Sequence, residues 1–200
     1  MQAVNPQHPF ERYADDIVIH CSSKEEAEHL LSKLKARMQQ YELELHPEKT
    51  CIVYGKHYLR NDKHDNNSFT FLGYSFQPRT VKDKFGSKNS IVMFSAAISQ
   101  QAKKGIRAKL REGLPTMWSD KSLKWFAGRL NPKIRGWIQY YTKFNRYIAY
   151  DVFYYLNELI RQGIKNTYKI QGKAWLYDKY RMIQAANPEL FYRWWLGIKA

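Results

Sequence analysis

Two hundred residues carry 33 Lys+Arg against 18 Asp+Glu, a formal net charge of +15 at pH 7. That balance makes a polyanion the expected partner, and two cysteines are too few for a disulfide framework or a cysteine-based zinc site. No apolar run reaches transmembrane length and no signal-peptide pattern opens the chain, so a soluble, cytoplasmic protein is expected, with no membrane partner.

The charge is unevenly placed. Residues 1–76 hold 9 Lys+Arg against 11 Asp+Glu, residues 77–200 hold 24 against 7, and all six tryptophans lie in the second part. Cations interleaved with aromatics favour nucleic acid over a membrane surface, because phosphates need positive charge and bases need flat partners. More than half of the aromatic content is nevertheless expected in the core.

Met1 to Pro9 is polar and aperiodic. Phe10 to Cys21 then sets two apolar arms around Asp15-Asp16, which reads as a β-hairpin with its carboxylates at or near the turn. Neighbouring carboxylates repel, and Mg²⁺ relieves that repulsion while preferring one or two carboxylates plus water and phosphates. A solvated turn that merely ends the hairpin is the plainer alternative. Ser23 and Glu26 stand at capping-box spacing, and Ala27, Leu30, Leu31, Leu34, Met38 and Tyr41 share one face of the helix that follows, expected to lie on the hairpin's sheet. Cys51–Gly55 and Phe69–Phe76 each read as a strand. Cys21 and Cys51 read as small buried hydrophobes, and Gly73 as a point of close backbone approach. Lys49 alone reads as a surface lysine. Residues 56–68 read as a loop whose His57 and His64 lack further ligands at a metal-binding spacing.

Pro78 to Ser90 reads as a basic loop and Ile91–Phe94 as a short strand. Helical periodicity follows over Ala96–Arg111 and Ser122–Leu130, in a third helix beginning after Asn131-Pro132, and over Ile148–Tyr168, Ala174–Ala186 and Pro188–Leu196. On the third helix Lys133, Arg135, Gln139 and Lys143 face out, while Ile134, Trp137, Ile138 and Tyr141 face in. The fold class is α+β followed by a basic all-α module, with the boundary near residues 77–95.

The order of motifs resembles a known family. Tyr13-Ala14-Asp15-Asp16, a helix, Leu45-His46-Pro47-Glu48-Lys49-Thr50 and Phe71-Leu72-Gly73-Tyr74 look like the later palm motifs of a reverse transcriptase. Leu130-Asn131-Pro132-Lys133-Ile134-Arg135-Gly136-Trp137-Ile138-Gln139-Tyr140-Tyr141 resembles the thumb, or X, domain of group II intron reverse transcriptase/maturases. Lys173-Ala174-Trp175 through Asn187-Pro188-Glu189-Leu190-Phe191 to Trp194 is similar to the end of that domain in members without an endonuclease. The resemblance implies the C-terminal part of a palm over 1–80, an antiparallel sheet with a packed helix. A linker or β-hairpin over 81–94 and an α-helical thumb/maturase domain over 95–200 follow.

The resemblance also implies roles. Asp15 would ligate the two Mg²⁺ ions of an RNA-directed DNA polymerase, with Asp16 in support and Lys49 near the leaving pyrophosphate. Tyr13 and Ala14 would lie along the primer end, and Phe71, Leu72 and Gly73 would form the primer grip. Arg129, Lys133, Arg135 and Lys143 would contact intron RNA or template–primer phosphates, and Tyr140 or Tyr141 would stack; Trp137 reads as core. Fingers and an earlier catalytic carboxylate would come before residue 1. The metal site is therefore expected to be incomplete, the 200 residues inactive as a nucleotidyltransferase by themselves, and the open palm face prone to self-association. The full-length protein would use deoxynucleoside triphosphates in a bacterial cytoplasm, for splicing and mobility of its intron. The competing expectation is a non-enzymatic RNA-binding splicing module.

Overall fold

The structure, a computed structural model, describes residues 8–59, 64–82, 90–112 and 123–195. Strands β1 (Phe10–Tyr13) and β2 (Asp16–Ile19) pair antiparallel, Phe10 opposite Ile19 and Tyr13 opposite Asp16. Ala14 and Asp15 make the two-residue turn. Helix α1 (Lys24–Gln39) begins at the expected cap: the Ser23 hydroxyl accepts from the Glu26 amide at 3.2 Å, and the Glu26 carboxylate accepts from the Ser22 amide. Leu30 is buried, and Ala27, Leu31, Leu34 and Met38 are half-buried. Tyr41 departs from that face. It lies beyond the helix, 60% exposed, under the Arg37 guanidinium.

Cys51–Gly55 is not a strand. Among the described residues the Tyr54 amide donates to the Asn66 carbonyl at 2.8 Å and the Tyr54 carbonyl accepts from the nearby Lys56 amide at 3.0 Å, whereas a strand requires a ladder of bonds to a neighbour. Cys51 is accordingly exposed, and Cys21 is half-buried just past the end of β2.

Strands β3 (Phe69–Phe71), β4 (Tyr74–Lys82) and β5 (Ser90–Ile98) form a second sheet in the order β3-β4-β5. Phe69–Phe76 is thus two strands rather than one. Leu72 (φ 50°) and Gly73 (φ 77°) both adopt left-handed backbone, the sign pattern of a type I′ hairpin turn. Strand β4 continues through Pro78, which the sequence placed in a loop. Ala96–Ile98 extends β5 instead of opening a helix. Ser99 sets the helix start, because its hydroxyl accepts from the Ala102 amide at 3.1 Å.

By contact the chain forms two units, residues up to Phe71 with Gln77–Phe94, and Leu72–Phe76 with Ser95 onward. The second contains α2 (Gln100–Glu112), α3 (Leu123–Tyr141), α4 (Arg146–Thr167), α5 (Lys173–Ala186) and the short α6 (Tyr192–Trp195). The two helices expected around residue 131 are one. Pro132 removes the bond to the Gly128 carbonyl, but a Cβ built at Gly128 meets nothing within 4 Å, so the ring is accommodated on an open face. Asn131 does not cap a new helix, because its amide is engaged elsewhere: Nδ2 donates to the Leu190 carbonyl at 2.9 Å and Oδ1 accepts from the Tyr192 amide at 3.0 Å.

Phe126, Ile134, Ile138, Val152, Leu156, Ile160, Ile164 and Phe191 form the centre of the helical core. A buried polar chain crosses it, Trp194 Nε1 donating to the Tyr180 hydroxyl and that hydroxyl to Asn157 Oδ1, each at 2.9 Å. Lys103, only 4% exposed, pairs with Asp151 of α4, as does Arg107. Burial pushes the Asp151 carboxyl up, yet the hydrogen bonds and charges of Lys103 and Arg107 outweigh it and hold the group below the usual carboxylate range.

Candidate functional site

The acidic hairpin presents its carboxylates at the tip. Asp15 occupies the second turn position and Asp16 the first position of β2, both exposed, beside exposed Tyr13. Ala14 precedes them at φ 52°, a left-handed conformation that costs an L-residue roughly 1–2 kcal/mol. Arg12 Nε donates to the Ala14 carbonyl at 2.9 Å and braces the turn. Two adjacent carboxylates are the donor type that Mg²⁺ prefers. For a site of two ions they fall short in number, since no group of three His, Cys, Asp or Glu able to hold a metal occurs among the described residues. Asp15 and Asp16 therefore fit as part of a magnesium site, not as a whole one. Lys49 is exposed on a turn closed by the Thr50 amide and the His46 carbonyl at 2.9 Å. Among the described residues no hydrogen bond or ion pair joins it to the hairpin.

A second constellation forms around the Leu72-Gly73 turn, where two groups expected separately come together. The Tyr140 hydroxyl of α3 donates to the Leu72 carbonyl at 2.8 Å, and a Cβ at Gly73 would stand 3.0 Å from the Tyr141 hydroxyl oxygen. The close approach that the glycine permits is thus made by a tyrosine ring. Tyr74, buried, donates its hydroxyl to the Tyr140 carbonyl, and its ring lies 5.1 Å from those of Tyr140 and Phe144 and 5.6 Å from that of Tyr141. Burial, then the neighbouring Tyr140 and Tyr141, push the Tyr74 phenol up to about 12. The Ser99 amide donates to the Gly73 carbonyl at 2.9 Å and fixes the turn from the other side. Ser99 and Phe144 were not singled out from the sequence, and Tyr74 stood in a motif without a role of its own. The only local hint was the adjacency of Gly73-Tyr74.

Arg129, Lys133, Arg135 and Lys143 are all exposed. Arg129, Lys133 and Tyr140, spaced by four and seven, share one stripe of α3. The Arg129 guanidinium lies 5.3 Å over Trp125, and that of Arg135 5.8 Å over Tyr192. Trp137 is half-buried against the helical core. Gly128, Asn131, Pro132, Arg135, Glu189 and Tyr192 line an open groove of about 720 Å³.

Residues 1–76 match the reverse transcriptase (RNA-dependent DNA polymerase) family, which makes the acidic hairpin part of a reverse-transcriptase-type chain. Residues 103–181 match the group II intron, maturase-specific domain. With both matches in this order, the chain belongs to the group II intron reverse transcriptase/maturase family. Binding of RNA and template is what this pair of domains implies. No curated protein and no solved structure matches the chain. Among the described residues no helix is long and apolar enough to cross a membrane.

Proposed function

We propose that this chain is the C-terminal portion of an intron-encoded reverse transcriptase/maturase, whose helical unit binds structured intron RNA and template–primer during splicing and retrohoming. The observation that carries the reading is the exposed set Arg129, Lys133, Arg135 and Lys143 within the maturase-specific match. Arg129, Lys133 and Arg135 stand on α3 and Lys143 lies two residues past its end, not on the helix as expected; together they supply phosphate contacts without burying charge. Neutralising all four to glutamine should weaken binding of structured intron RNA by about 100-fold and lower the slope of log K against log salt by about 3. A filter-binding titration at several salt concentrations measures both, and an unchanged slope would remove these residues from the interface.

The palm side of the reading assigns Asp15 and Asp16 to magnesium, Lys49 to the leaving phosphate, and Tyr13, Ala14, Phe71, Leu72 and Gly73 to the primer end. When bound, magnesium would polarise the phosphate and activate the primer hydroxyl. In this chain Arg12 orients the turn, and the Tyr140–Tyr141 pair holds Leu72 and Gly73 in place. Two carboxylates without a third among the described residues support the second reading, in which these 200 residues act as a splicing module without polymerase activity. Primer extension on an RNA template should then give no product, whereas RNA affinity should survive the joint change Asp15→Asn and Asp16→Asn. Deoxynucleotide incorporation that Asp15→Asn abolishes would reverse that conclusion.

A further inference from the structure

Helix α4 carries a row of tyrosines, two of them turned to solvent. Tyr147 is 72% exposed, Tyr154 is 52% exposed, and Tyr150 between them is half-buried. Their spacings of three and four put them on one stripe, opposite Ala149, Val152, Phe153, Leu156 and Ile160, which face inward. The Tyr147 and Tyr150 rings lie 6.1 Å apart. Tyr150 also packs against the core, but the exposed Tyr147 and Tyr154 rings add little to the stability of an already packed helix, and exposed aromatic rings in a row mark contact surfaces.

Helix α2 runs beside this row and supplies positive charge in register. Lys103 and Arg107 bond Asp151, and Arg111 Nε donates to the Tyr155 hydroxyl at 3.3 Å. The contacts climb both helices together, so the two run in the same direction along the seam. Arg146 adds a guanidinium 5.3 Å over the Tyr147 ring. Among the described residues Asp151 is the carboxylate bonded to these cations, and Glu158, one turn past Tyr154, is paired with Arg161, so the seam is left positive.

We propose that the α2–α4 seam is a track for an unpaired RNA strand, with bases stacked on Tyr147 and Tyr154 and phosphates led along Arg107, Arg111 and Arg146. From Tyr147 to Tyr154 the helix rises about 10 Å, a length that accepts two or three nucleotides. A duplex is excluded from the stacking positions because paired bases keep their faces to each other. The site is distinct from the α3 cations. It shares with the reading above only the nature of the ligand.

The test uses the whole chain, a fluorescein-labelled oligouridylate of twelve nucleotides and a duplex RNA of equal length, followed by anisotropy. Tyr147→Ala with Tyr154→Ala should weaken the single strand by about 10- to 100-fold and leave the duplex within about twofold. Tyr147→Phe with Tyr154→Phe should bind as the unaltered chain does, since stacking needs the ring and not the hydroxyl. Neutralising the α3 cations should leave single-strand affinity the less affected of the two, so failure of either site is separately visible. Equal losses for strand and duplex, no loss in the alanine variant, or no single-strand binding at all would overturn the track. So would a changed sedimentation coefficient with unchanged RNA affinity, which would assign the tyrosines to a protein contact.

Discussion

Asp151→Asn is expected to lower the stability of the helical unit by about 2–3 kcal/mol and its melting temperature by roughly 5–10 °C. The cause is Lys103, whose side chain is 5% exposed and whose ammonium is held by this carboxylate. Without it a buried cation is left facing a neutral amide, the costliest way to break an ion pair. Asp151 itself is 45% exposed, and solvent screening keeps the effect below the full penalty of a wholly buried pair. Lys103→Met in the Asp151→Asn background should recover most of the loss, because an apolar stem of similar volume needs no counter-charge. The carboxyl is held below its ordinary range when folded, so its contribution is complete above that range, near pH 4 and upward, and is lost as pH falls through the depressed value. Thermal melts between pH 7 and pH 2 should therefore show the two proteins converging in acid. A variant melting with the unaltered chain at pH 7 would show that Lys103 has another partner or is uncharged.

Gly73→Ala should cost about 2–3 kcal/mol, nearly as much from a single methyl group. Two terms add. The backbone at φ 77° is left-handed, and the new Cβ would lie 3.0 Å from the Tyr141 hydroxyl oxygen and 3.4 Å from its Cε1. Removing the nearest atom separates them. Tyr141→Phe beside Gly73→Ala should give a smaller total than the sum of the single changes, by about 0.5–1 kcal/mol, leaving the backbone term behind. Additivity within about 0.3 kcal/mol in denaturant titrations would mean that the ring does not fill the glycine's space.

Local periodicity made a good part of this molecule legible. The hairpin around Asp15-Asp16, the Ser23 cap, the buried face of α1 and the outward cations of α3 all depend on residues within one or two turns of each other. What the sequence hid depends on distant partners. Nothing next to Asn131 announces that Leu190 and Tyr192 occupy its amide, so Asn131-Pro132 read as a helix start. Leu72 is no turn former, and it is held in left-handed backbone by the Tyr140 hydroxyl from 68 residues away. Cys51–Gly55 has the composition of a strand but no neighbouring ladder. Lys103 and Tyr74 read as unremarkable until Asp151 and the Tyr140-Tyr141 pair were set against them. The acidic pair was visible as a candidate, whereas its metal stoichiometry was not, because ligands converge from separate segments.

The division of the chain has a consequence for how such a protein can be recombined. Leu72–Phe76 belongs with Ser95 onward, while the stretches on either side of it belong to the other unit. The polypeptide therefore changes units three times rather than once. Splicing a foreign helical half onto this sheet at residue 95 would import new tyrosines and keep the old turn, leaving two mismatched halves of one clasp. A working chimera must carry the turn over with the helices, so the heritable cassette is discontinuous along the gene.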